Sequence, residues 1–222
     1  MNTKQFAALI HQKLADKYGS PTWRPHLKPV GELVCTILSQ NTTDVNRDIA
    51  YNSLLEQYPT WEEIRNAPEN LVIKSIKYAG LANQKGPAIQ NALRVITEER
   101  GQIELEFLKS MSPQEATDWL VKLKGVGPKT AAIVLLFSLD MPAFPVDTHV
   151  YRVTGRLGIR PENMTAAKAH TYLADQFEPE TYYPIHLNLI RLGREVCNAR
   201  QPICQECPLN QICLYYANLK DQ

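Results

Sequence analysis

The chain carries almost no excess charge of either sign: 24 Lys and Arg against 23 Asp and Glu leave a formal net charge of +1 over 222 residues. A molecule so balanced has no field strong enough to hold a polyanion over its whole surface, so any phosphate-binding surface must be local. Long apolar runs are also missing, none approaching the roughly 20 residues that span a bilayer. Met1 to Phe6 lack the charged-then-apolar order of a secretion signal, and the sequence reads as that of a cytoplasmic protein. There is no internal repeat and no low-complexity tract, and alternating strand-like segments are hard to find. Cysteine is scarce and uneven: five in all, four of them between positions 197 and 213. An odd, clustered set fits metal ligation in a reducing compartment better than a disulfide framework. The fifth, Cys35, lies in an apolar stretch and reads as a small buried hydrophobe.

What is present is helical periodicity on a chain 44% hydrophobic, enough for a buried core. The expected class is all-α. Helices are predicted over 3–18, 30–39, 43–57, 60–66, 69–77, 84–100, 113–123, 129–138, 147–157, 165–176 and 180–195. Three prolines forbid a continuous helix between Ser20 and Pro29. Thr60 with Glu63 and Ser112 with Glu115 have capping-box spacing, and Gly80 and Gly101 stand where helices should stop. The longest later break, Ser138 to Pro145, suggests a crossing between domains.

Residues 113–138 read as helix, tight turn, helix, with Gly125, Val126 and Gly127 in the turn and Pro128 opening the second helix. Glycines there allow left-handed angles and close approach of a ligand, and Val126 would tuck inward as an anchor. The amides heading the second helix, at the positive end of its dipole, suit a phosphodiester of any base sequence. Lys122, Lys124, Arg152, Arg156 and Arg160 lie around this segment, with Asp140 and Asp147 the only acids between 121 and 160. That imbalance favours phosphate binding over a plain αα-hairpin.

Three motifs, in this order, carry a resemblance: Leu123 to Ala132 around Lys129, Val146 to Val153 around Asp147, and a cysteine cluster led in by His186 and the segment Gly193 to Cys197. Together they resemble the helix-hairpin-helix DNA glycosylases, and within them the endonuclease III family, over nearly the whole chain. The resemblance implies a two-lobed helical fold, with a six-helix domain at 25–140 and an iron–sulfur cluster domain formed by 1–24 and 141–222. Cysteine gaps of six, two and five residues (Cys197, Cys204, Cys207, Cys213) are by themselves compatible with zinc or a 4Fe–4S cluster. The resemblance selects the 4Fe–4S cluster, held in a C-terminal loop.

It also implies a bifunctional DNA glycosylase and abasic-site lyase of base excision repair. Such an enzyme is expected to act, as a monomer, on double-stranded DNA with damaged bases or abasic sites, in the cytoplasm and associated with the nucleoid. Lys129 is the expected nucleophile: attack on C1′ needs a neutral amine, which desolvation and the adjacent helix N-terminus favour. Displacement of an oxidised pyrimidine leaves a Schiff base, from which β-elimination cuts the strand. Asp147, an N-cap by position, would stabilise cationic sugar character or move a proton. A base inside a duplex must be flipped out and its gap filled. Gln40 and Asn41 in one loop and Leu81 in a second are the candidate wedges. His149, Arg152 and Arg200 are expected DNA contacts, although the loop holding Arg200 is poor in basic residues. The alternatives are a monofunctional adenine- or thymine-mismatch glycosylase and a non-catalytic DNA-binding protein with a redox-sensing cluster.

Overall fold

The computed structural model describes residues 1–220; positions 221 and 222, which close the expected range 141–222, lie outside them. The described residues are all-α, with 3₁₀ turns between some helices. In chain order the helices are α1 (Thr3–Tyr18), α2 (Pro29–Ser39), α3 (Asp44–Gln57), α4 (Trp61–Asn66), α5 (Glu69–Ser75), α6 (Ala82–Arg100), α7 (Pro113–Val121), α8 (Pro128–Leu139), α9 (Thr148–Leu157), α10 (Ala166–Ala174), α11 (Tyr182–Glu195) and α12 (Leu214–Lys220). They form two compact units, one from Pro25–Met141 and one from Met1–Arg24 with the chain from Pro142 onward.

The first of these is built around α2 and α8, which pack on each other. Every residue of α2 from Val30 to Leu38 is buried, and so is most of α8, including the small Ala131 and Ala132 that let the helices approach closely. Helices apolar on all sides belong at the centre of a unit. The flanking helices start where polar side chains stop their amides. Ser112 and Glu115 make the full reciprocal box at the head of α7. Thr60 accepts from the Glu63 amide, so half of that expected box forms. Gly101 ends α6 in a left-handed turn, φ +75°.

In the other unit α1 packs on α11. Asn2 and Gln5 cap α1 reciprocally, at 2.9 and 3.0 Å. Ala7, Ile10 and Leu14 make its buried stripe at helical spacing, and the Asn188 amide of α11 donates to the Gly19 carbonyl beyond its end, at 2.9 Å. His186 is buried, its Nδ1 at 2.9 Å from the Pro145 carbonyl. The cysteine-bearing segment holds 3₁₀ turns at Cys204–Glu206 and Asn210–Ile212 and ends in α12.

Candidate functional site

The turn between α7 and α8 uses its glycines differently. Gly125 has φ +83°, where a side chain is strained, and an added Cβ would stand 3.1 Å from the Ala88 Cβ. Gly127 is extended at φ −100°, a conformation open to any residue, so only one of the two expected left-handed angles occurs. A Cβ on Gly127 would meet nothing of the protein within 4 Å. Val126 is buried as expected, with its amide on the Leu123 carbonyl at 3.0 Å. Pro128 has no N–H and no side chain caps α8, so the amides of Lys129 and Thr130 head the helix without an intrahelical acceptor. This is a patch of backbone donors at a positive helix end, shaped for an anion.

Lys129 is exposed in the first turn of α8. The fold therefore supplies the helix N-terminus but leaves desolvation of the amine to a bound ligand. Asp147 is the N-cap of α9, its Oδ1 accepting from the Val150 amide at 2.7 Å.

Gln40 ends α2 and its Nε2 donates to the Gly125 carbonyl at 3.0 Å, bracing the loop against the hairpin turn. The next residue, Asn41, is exposed and left-handed, φ +50°. Leu81 is left-handed too, φ +49°, and 46% exposed. Leucine pays about 1–2 kcal/mol for that conformation, and with nearly half of its surface exposed it recovers only part of that by burial. A residue that periodicity did not single out links the two loops: Lys85 of α6 is buried, and its Nζ donates at 2.8 Å to the carbonyls of Leu38 and of Ala79. No local signal marks it, because Leu38 lies 47 residues away.

The expected basic surface is largely consumed inside the protein. Arg152 donates to the carbonyls of Cys197 (3.0 Å) and Gly193 (2.8 Å) and lies 3.1 Å from the His149 Nδ1. His149 packs on Gly193, where a Cβ would come within 2.8 Å of the histidine Cβ. Arg156 donates to the carbonyls of Asn198 (2.7 Å) and Ala199 (2.8 Å), and Arg160 is buried over the Tyr151 ring. Lys122, Lys124 and Arg200 remain exposed. The charge imbalance read from sequence is real in number, but three of its arginines act as braces on backbone carbonyls.

The four clustered cysteines line one small cavity together with Arg156 and Tyr215. Among the described residues, however, no group of three or more His, Cys, Asp or Glu side chains is disposed to hold a metal ion. The expected 4Fe–4S cluster, its C-terminal cluster loop and the ligand roles of Cys197, Cys204, Cys207 and Cys213 are corrected accordingly. The sequence gaps bring the four cysteines to one cavity but not into an arrangement that would hold an ion. Instead the Arg156 guanidinium donates to the Cys197 Sγ at 3.3 Å, and the Cys213 Sγ donates to the Arg156 carbonyl at 3.4 Å. Burial, joined by the neighbouring thiols, pushes Cys207 up to about 11.

The pattern of the HhH-GPD superfamily base excision DNA repair proteins matches residues 34–179. Endonuclease III of Sulfolobus acidocaldarius is 36% identical over 192 residues, covering 85% of this chain and 83% of that relative. Endonuclease III of Rickettsia prowazekii is 37% identical over 186 residues, covering 84% and 83%. A solved non-covalent endonuclease III–DNA complex superposes with a TM-score of 0.84 at 28% identity over 100% of both chains. A trapped covalent endonuclease III–DNA intermediate gives the same TM-score and identity over 99% of this chain and 100% of that one.

Proposed function

The chain belongs to the HhH-GPD superfamily of base excision DNA repair proteins, and from that membership we propose that it is a bifunctional DNA glycosylase and abasic-site lyase acting on oxidised pyrimidines in duplex DNA. The observation that carries this is an exposed lysine, Lys129, one residue inside a helix whose leading amides follow a glycine turn. The turn holds a phosphodiester by backbone donors, and docking of DNA removes water from the amine beside it.

Neutral Lys129 Nζ then attacks C1′. The N-glycosidic bond breaks, the base leaves with a proton, and opening of the sugar ring gives an imine between Nζ and C1′. Loss of a C2′ proton expels the 3′ phosphate by β-elimination, and water hydrolyses the imine to free the lysine. Asp147 supplies negative charge as C1′ becomes cationic. Asn41 and Leu81 fill the space vacated by the flipped nucleotide, while Gln40, bonded to Gly125, braces the loop. His149, set by Arg152, and Arg200 are assigned to the DNA backbone. The setting is a single protein chain working on chromosomal DNA in the cytoplasm.

Borohydride reduction on abasic or thymine-glycol duplex tests this directly. Wild type should yield a covalent protein–DNA adduct together with strand cleavage, and Lys129→Ala should yield neither while still binding the duplex. An active wild type that forms no adduct, or an undiminished adduct from Lys129→Ala, rejects the proposal. Base release without strand cleavage would instead indicate a monofunctional glycosylase.

A further inference from the structure

Lys85 occupies the first turns of α6 and is 2% exposed. Burial lowers its pKa, and an ammonium removed from water is costly unless its protons find acceptors. Here they find two neutral carbonyls, each at 2.8 Å: Leu38, one residue before the end of α2, and Ala79, the last residue of a 3₁₀ turn. Both sit at C-terminal ends of helical segments, where carbonyls lack intrahelical donors and a cation is favoured.

A left-handed, exposed residue lies shortly after each carbonyl: Asn41 follows Leu38 by three positions and Leu81 follows Ala79 by two. The Asn41 loop is tied in turn to the hairpin, because Gln40 donates to the Gly125 carbonyl at 3.0 Å. One ammonium thus joins two loops that are far apart in sequence, and a third hydrogen bond, from Gln40, ties them to the hairpin turn. An apolar side chain in the same place would fill the volume at lower desolvation cost but would fix neither loop end.

We propose that Lys85 is a positioning residue, a strut that sets the separation of the two loops so that Asn41 and Leu81 enter the duplex together. This role rests on the glycosylase function proposed above. It predicts that Lys85 matters when the target nucleotide must be turned out of a double helix and its gap filled, and not when the target lies in a single strand.

The test is Lys85→Met, a side chain of similar length with no donor, compared with wild type on an abasic site in duplex and in single-stranded DNA. Strand cleavage and borohydride trapping are measured alongside thermal unfolding and the fluorescence of 2-aminopurine placed opposite the lesion. Duplex kcat/KM is expected to fall roughly 10- to 100-fold, with the 2-aminopurine signal lost and single-strand cleavage within about twofold of wild type. An unchanged duplex rate overturns the strut, and so does an equal fall on both substrates. If Lys85→Met does not fold, Lys85→Gln is read by the same duplex-to-single-strand ratio: a reduced ratio supports the strut and an unchanged ratio overturns it. A wild type that cleaves neither substrate rejects the glycosylase function itself, a different failure from an active wild type that Lys85→Met matches.

Discussion

Asp147 caps a helix and is proposed to act in the chemistry, two duties that substitution can separate. Its Oδ1 caps α9 through the Val150 amide, and an asparagine keeps that acceptor while removing the charge. Asp147→Asn should therefore leave the melting temperature nearly unchanged and lower base excision by about 10²- to 10³-fold, the usual range for losing one electrostatic stabiliser. Asp147→Ala should add a stability loss of about 1 kcal/mol from the missing cap. Excision kinetics beside thermal unfolding distinguish them, and a fully active asparagine variant removes Asp147 from the chemistry. Asp147 as a helix cap was legible in the sequence because that role is set by the residues right beside it. Lys85 was not, since its acceptors belong to other elements. Arg152, Arg156 and Arg160 were legible as charge but not as braces, because a count of basic residues does not reveal where each guanidinium finds its carbonyls.

At the scale of elements, helix limits followed from short-range chemistry: Ser112 with Glu115 opens α7, and Gly101 closes α6. The expected helix over 69–77 stops at Ser75 and passes into a 3₁₀ turn, because the backbone must reach the left-handed pair Gly80 and Leu81. α12 was missed, since its exposed Leu214 and Leu219 leave no clear apolar stripe to read. The resemblance that selected a 4Fe–4S cluster misled at the cysteines, because matching gaps along a chain do not fix the direction of side chains. The hairpin glycines give an element-scale prediction. Gly125→Ala forces a Cβ onto a positive φ and against Ala88, so it should cost about 1–2 kcal/mol of stability as well as weaken DNA binding. Gly127→Ala meets no protein atom and has an ordinary φ, so its melting temperature should hold while duplex affinity drops. Equal DNA affinity for wild type and Gly127→Ala, measured by fluorescence anisotropy, would remove this turn from the binding surface.

For the whole molecule, the near-zero net charge leaves binding to a few exposed groups, whereas the connectivity of the two units governs how the chain folds. Pro25–Met141 is continuous, but the other unit needs α1 from one end of the sequence and α9 to α12 from the other. Contacts between distant segments close slowly. Pulse-labelled hydrogen exchange during refolding should protect amides of α2 and α8 before those of α1 and α11; simultaneous protection would indicate a single cooperative step.

On the ribosome, the same arrangement imposes a wait. α1 emerges with Ala7, Ile10 and Leu14 made to be covered, but its partner α11 begins at Tyr182, 164 residues after α1 ends at Tyr18 (182 − 18). At about 5–20 residues per second that interval lasts on the order of ten to thirty seconds. For that time the newborn chain displays a greasy helix with nothing to grip, a natural target for a holding chaperone and the moment at which two nascent copies are most prone to stick to each other.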